Sequence, residues 1–199
     1  MKRHRLILSS AVVLVLFVFF VGQYVSGIMA EERARQTLLN HVYGHLIIAS
    51  SGLNGLIDNM ESEGAQADVL ELAAVSNNFI RLDAMLKQYG MHFPAHGLQY
   101  GGFFGFDFIA HTLVGRGGWV NDLRYDSIAG GGVSRENQIL YLAALRDDIN
   151  LMVAQMTCDE NHLQENRDLS ISALNMILND FLHRWSLFYE NSPLWLLES

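Results

Sequence analysis

A long apolar run behind a short basic head is the first feature of the hydrophobic pattern along the chain. Residues 6–30 carry no charged side chain, and Lys2, Arg3 and Arg5 all precede them. A helix of about 20 apolar residues, rising about 1.5 Å per residue, crosses the hydrocarbon core of a bilayer. The pattern therefore predicts a cytoplasmic basic head over residues 1–5 and a transmembrane signal-anchor helix over residues 6–30.

The position of the basic residues also predicts the orientation of this helix. Basic residues are retained on the cytoplasmic side, so we expect residues 31–199 to be extracytoplasmic. A cleaved signal peptide is the alternative, with weak cleavage sites at residues 25–27 or 28–30. Cleavage would make the mature chain a secreted soluble binding protein. The apolar run is long for a signal peptide, which favours a retained anchor on a single-pass membrane protein.

Beyond the run, apolar residues recur every three or four positions, as they do in amphipathic helices. One stripe extends from Leu38 to Met60, and no proline separates it from the anchor. A second stripe extends from Val69 to Tyr89 and is followed by Gly90, a residue typical of helix ends. A third extends from Ile139 to Met156, behind Ser134 as predicted N-cap. These stripes predict three helices.

The fourth apolar stripe extends from Leu163 to Phe188. Residues 133–192 contain neither glycine nor proline, so one helix could cover both of the last two stripes. We favour a break near residues 157–161, because Thr157 and Glu160 have the spacing of a capping box. The sequence thus predicts an all-α fold in which the transmembrane helix is followed by an antiparallel four-helix bundle.

The segment over residues 90–134, between predicted helices 2 and 3, holds eleven of the 17 glycines and is rich in aromatic residues. We interpret it as a long loop. In an up-down-up-down bundle whose first helix leaves the bilayer, this loop and the C-terminal tail lie at the membrane-proximal end. The aromatic residues either close that end of the bundle or form a binding patch at the membrane. The candidate patch consists of Phe103, Phe104, Phe106, Phe108, Trp119 and Trp195.

The net charge of the residues beyond the anchor limits the classes of molecule that they can bind. Three of the 13 basic residues lie in the head, so ten remain beyond residue 30 against all 21 acidic residues, a formal net charge of −11. An acidic domain repels phosphate backbones, so we expect no nucleic-acid partner. Cys158 is the single cysteine, which excludes an intramolecular disulfide.

Among the candidate residues, the histidines have the spacing most similar to that of metal ligands. His41 and His45 lie one helical turn apart, as do Asp180 and His183 with a spacing of three. Three histidines of the glycine-rich segment could instead converge on a zinc ion. These candidate metal ligands are His92, His96 and His111.

No sequence motif for phosphate binding, for a nucleophile elbow or for a helical zinc protease is present, and the identity of any cofactor is unknown from the sequence. We therefore expect a membrane-anchored helical binding protein, a sensor-like or accessory subunit with a protein partner in or at the membrane. A membrane-tethered metal-dependent enzyme that uses the loop histidines is the alternative.

Overall fold

The computed structural model describes a helical protein. The described residues are 2–63, 66–92, 97–100, 105–115, 118–120, 123–158, 165–166 and 168–190. Within them lie five α-helices: α1 (Lys2–Glu63), α2 (Val69–His92), α3 (Phe106–Val114), α4 (Arg135–Gln155) and α5 (Ile171–Glu190). Two short strands, β1 (Gly118–Val120) and β2 (Leu123–Tyr125), pair as an antiparallel hairpin. The predicted helical class is confirmed, with this hairpin as a small addition.

Helix α1 contains the apolar run and continues without a break to Glu63. Its described apolar side chains from Leu14 to Met29 are exposed, and Phe17 and Phe20 are each 65 % exposed. Among the described residues, α1 is the one helix long and apolar enough to cross a membrane. Length and composition thus confirm a candidate membrane-spanning helix near the N-terminus.

Contacts within the chain divide it into two compact units, residues 1–38 and 39–199. In the second unit the predicted apolar stripes face inward and form the core. Its fully buried residues include Leu39, Val42, Leu46 and Leu53 of α1, Leu72, Phe79, Leu82 and Leu86 of α2, Leu142, Leu145, Ile149 and Met152 of α4, and Leu174, Leu178, Phe181 and Trp185 of α5.

In the second unit, α1 and α2 run antiparallel and are joined by polar side chains. The amide of Asn59 donates to the Glu71 carboxylate at 3.2 Å. One hydrogen bond joins His45 Nδ1 to Asn78 Oδ1 at 2.6 Å, and Asn78 Nδ2 donates to the His45 carbonyl at 2.6 Å. Residue numbers fall along one helix as they rise along the other. The predicted first pair of body helices therefore has the expected direction.

Helix α4 packs against the same part of α1. Its first residue, Arg135, donates from Nη2 to the Met60 carbonyl at 2.6 Å, which satisfies an acceptor in the last turn of α1. Farther along, Ser50 donates to Asn150 Oδ1 at 2.5 Å. Ser134 is the N-cap of α4, as predicted, because its hydroxyl accepts from the Asn137 N–H at 3.3 Å.

The predicted loop over residues 90–134 is wrong in part, because α3 lies within it. This helix begins after Gly105 and ends before Gly115, whose N–H donates to the His111 carbonyl at 2.7 Å. Its inward face is formed by Phe106, Ile109, Ala110, Thr112 and Leu113, all of which are buried. The hairpin occupies part of the same segment, and α2 extends two residues beyond its predicted end at Gly90.

The predicted break between the last two helices is confirmed. Helix α4 ends at Gln155, and Thr157 forms an isolated antiparallel bridge with Glu165. Helix α5 begins at Ile171 rather than near Leu163. Residues 159–164 lie outside the described part of the chain, as does the C-terminal tail from residue 191.

Candidate functional site

One aromatic residue of the predicted binding patch, Phe106, lies in the core. Phe106 is 0 % exposed and stacks on three other rings. Its ring centroid lies 5.8 Å from that of Phe79, 6.0 Å from that of Tyr100 and 5.1 Å from that of Phe181. These rings join α2, α3 and α5 around Phe106.

The other candidate patch residues are described only in part. Phe108 is half-buried on α3, and Trp119 belongs to β1. Phe103, Phe104 and Trp195 lie outside the described residues. An aromatic patch made of these residues stays a prediction.

The structure describes the side chain of one of the three candidate metal ligands of the glycine-rich segment, His111, so this set of ligands stays a prediction. His111 is exposed on α3, His92 is the last residue of α2, and His96 lies outside the described residues. His41 is exposed on α1, and His45 is bound to Asn78 as described above. No group of three His, Cys, Asp or Glu side chains among the described residues is placed to hold a metal ion.

A polar network around the buried Asp83, which no sequence pattern indicated, holds the start of α3 against α2. The Tyr100 hydroxyl donates to Asp83 Oδ1 at 2.7 Å and accepts the Phe106 N–H at 2.9 Å. Lys87 Nζ lies 2.7 Å from Asp83 Oδ2 and 2.9 Å from Asp107 Oδ2. The network therefore links two carboxylates, one ammonium group and a backbone donor at the N-terminus of a helix.

The electrostatics of this network favour a single protonation state. Asp83 is only 4 % exposed. The hydrogen bonds that Lys87 donates to Asp83 and Asp107 raise the pKa of Lys87 above its usual value. Burial, and then the hydrogen bond to Asp83, raise the pKa of Tyr100 well above its usual value near 10. The tyrosine stays protonated and the lysine stays charged, as a structural clamp requires.

A second feature is a cavity between the C-terminal end of α4 and the first half of α5. Its volume is about 390 Å³, within the range of about 300–1,000 Å³ that is typical of small-molecule sites. Four apolar side chains, one amide and one carboxylate form its lining. The lining residues are Gln155, Leu169, Ala173, Met176, Ile177 and Asp180.

Asp180, the carboxylate that lines this cavity, belongs to a group of charged side chains. Arg184 pairs with Asp180 one turn away on α5 and with Asp148 of α4, where Nε and Oδ1 are 3.0 Å apart. Burial raises the pKa of Asp148, the Arg184 hydrogen bond opposes this, and the charges of Asp147 and Asp180 add to the rise. Asp180, which the sequence paired with His183, therefore belongs to an ion-pair cluster.

Comparison with known proteins assigns no relative to this chain. No family model, no curated protein and no solved structure matches it. The candidate sites consequently rest on their own geometry.

Proposed function

We propose that the protein is a single-pass membrane protein whose helical body lies outside the cytoplasm and acts by binding. The N-terminal part of α1 is its anchor, and residues 31–199 form the extracytoplasmic part. In this proposal the body is a sensor-like or accessory subunit of a membrane complex. Its partner is a protein in or at the membrane.

The exposed apolar surface of α1 is the observation that supports a membrane anchor. The described side chains from Leu14 to Met29 form several helical turns of Leu, Val and Phe that no described part of the protein covers. Soluble proteins rarely expose a continuous apolar patch of more than a few hundred Å², because burial of such a surface is favourable by about 25 cal/mol per Å². A bilayer covers a surface of this length and composition.

The lining of the cavity supports binding as the mode of action. It combines four apolar side chains with one amide and one carboxylate, and a few polar groups in an apolar site can orient a bound molecule. The polar network around Asp83 joins two helices. The polar groups of this network form hydrogen bonds and ion pairs with one another. This arrangement suits a structural role rather than a reaction centre.

Fractionation and intact mass test the anchoring. Membranes from cells that express the chain are washed at alkaline pH, and the chain in each fraction is weighed by mass spectrometry. The proposal expects a membrane-retained chain that includes residues 6–30. A soluble chain that lacks about thirty N-terminal residues would establish the secreted alternative and overturn the proposal.

Two matched variants separate anchoring from a general effect of added charge. Phe17→Arg lies within the apolar run and Ile48→Arg lies beyond it, and the two native side chains are similarly exposed at 65 % and 60 %. An arginine near the middle of a membrane helix costs about 2.5–3.5 kcal/mol of insertion. Phe17→Arg should therefore reduce the retained fraction, and Ile48→Arg should leave it unchanged. Equal retention of the two variants would contradict an anchor in this run.

A further inference from the structure

The cavity beside α5 has a lining that discriminates between classes of small molecule. Leu169, Ala173, Met176 and Ile177 offer an aliphatic surface. Met176 is 65 % exposed, so its thioether is open to solvent and to a ligand. The side chain of Asp180 is half exposed (50 %), although Arg184 binds its Oδ2. The Gln155 amide supplies a second polar group. An aliphatic ligand with one polar end fits this lining.

The charged side chains near Asp180 determine whether a cation or an anion is attracted to the cavity. Asp147, Asp148 and Asp180 are balanced by two guanidinium groups, those of Arg146 and Arg184. One negative charge therefore remains in excess among these five groups. Burial is the main cause of the raised pKa of Asp148, and the charges of Asp147 and Asp180 add to the rise. A cation is attracted to such a site and an anion is repelled.

We propose that this cavity binds a small alkylammonium ion, with the alkyl chain against the apolar lining and the ammonium group beside Asp180 and the Gln155 amide oxygen. The inference rests on the proposed binding function and names the class of ligand for it. The ammonium group donates hydrogen bonds to both oxygens, and the alkyl chain covers Ile177 and Met176. An alkanoate of the same length lacks the donors and meets the excess of negative charge.

The test uses the full chain in nanodiscs of zwitterionic lipid, with methionine methyl groups labelled with ¹³C. n-Hexylammonium chloride is added and the methyl resonances are followed by NMR, with Met176 assigned from the Met176→Leu spectrum. The proposal expects a saturable shift of the Met176 methyl with a Kd on the order of 1 mM, as suits a ligand of so few atoms. Met91, which is 72 % exposed at the end of α2, is the internal control and should not shift.

Two neutralising variants locate the ammonium group. Asp180→Asn removes the carboxylate that lines the cavity, whereas Asp147→Asn removes a nearby carboxylate that does not line it and whose side chain is 67 % exposed. Because a half-exposed ion pair is screened by water, we expect Asp180→Asn to weaken hexylammonium binding about fivefold. Asp147→Asn should weaken it less than about twofold, because its charge acts from a greater distance through water. Thermal unfolding of each variant verifies that the body remains folded.

Three results would overturn the inference: no saturable shift at Met176, an equal response to hexanoate, or equal weakening by the two variants. Equal weakening would mean a general attraction to an acidic surface. The outcome is separable from that of the fractionation experiment. A membrane-retained chain without a Met176 response overturns only the ligand, whereas a soluble chain that binds hexylammonium overturns only the anchor.

Discussion

The hydroxyl of Tyr100 should contribute much of the stability with which α3 is held against α2. Tyr100→Phe removes one oxygen atom and keeps the ring that stacks on Phe106. Two interactions are lost with that oxygen. One is the hydrogen bond to the nearly buried Asp83 at 2.7 Å, and the other is the hydrogen bond from the Phe106 N–H at 2.9 Å.

The expected loss follows from these two bonds. A hydrogen bond to a charged acceptor contributes about 1.5–3 kcal/mol, and one from a backbone N–H about 0.5–1.5 kcal/mol. Lys87 remains paired with Asp83, so the carboxylate is not left without a partner. We therefore expect Tyr100→Phe to lower the free energy of unfolding by about 2–4 kcal/mol. At about 2–4 °C per kcal/mol for a body of this size, the Tm should fall by roughly 6–12 °C for a loss near 3 kcal/mol.

Circular dichroism at 222 nm, recorded during thermal and urea unfolding in a mild detergent, measures this loss. Tyr24→Phe is the matched control, because it removes the same atom from a side chain that is 71 % exposed on α1. The control should change the stability of the body by less than about 0.5 kcal/mol. If both variants unfold at the wild-type temperature, the hydrogen bonds of Tyr100 do not hold α3 and the reasoning is refuted.

Alkaline pH gives a second signature of the same group. Burial and the Asp83 hydrogen bond raise the pKa of Tyr100 in the folded protein. Above a pH of about 10 the unfolded tyrosine loses its proton while the folded one keeps it, so stability is lost as the pH rises, with a slope approaching about 1.4 kcal/mol per pH unit. The contribution is fully present below that pH. Tyr100→Phe should remove this part of the slope, and identical wild-type and variant profiles between pH 9 and pH 11 would contradict the assignment.

Two further predictions concern helix packing and capping. A Cβ atom added at Gly52 would lie 2.7 Å from Val75 Cγ2, which is too close. A Cβ atom added at Gly55 would have no neighbouring atom within 4 Å. Gly55→Ala should therefore stabilise the body by up to about 1 kcal/mol, and Gly52→Ala should destabilise it by about 1–2 kcal/mol, as urea titration would show. Ser134→Ala removes the acceptor for the Asn137 N–H and should cost about 1 kcal/mol in the same assay. Equal stability of the two glycine variants would argue against close packing of α1 on α2.

The apolar periodicity predicts most of the helices because it directly reflects which face is buried. The stripe from Leu38 to Met60 lies within α1, and the N-cap Ser134 begins α4 where expected. Helix α3 was missed because it has only nine residues between two glycines in an otherwise glycine-rich segment. Its own signal was present, since Phe106, Ile109 and Leu113 have helical spacing.

The site residues were harder to predict, because their partners are distant in sequence. Asp83 and Lys87 are one turn apart on α2, a spacing that is common on solvated faces. Only the fold shows that Tyr100 covers Asp83 and that α3 begins there. His45 is a comparable case, because its partner Asn78 lies 33 residues away. The spacing of His41 and His45 suggested metal ligands, whereas in the structure His45 forms a hydrogen bond between α1 and α2.

The native cysteine provides the most direct test of an anchored body outside the cytoplasm. Cys158 is the single cysteine of the chain, and it is exposed in the second unit. Intact spheroplasts that express the chain are treated with a membrane-impermeant maleimide, with Cys158→Ser as the unlabelled control. The account predicts that the chain is labelled before lysis and is recovered in the membrane fraction. Labelling only after the membrane is broken would place the body in the cytoplasm and contradict the account.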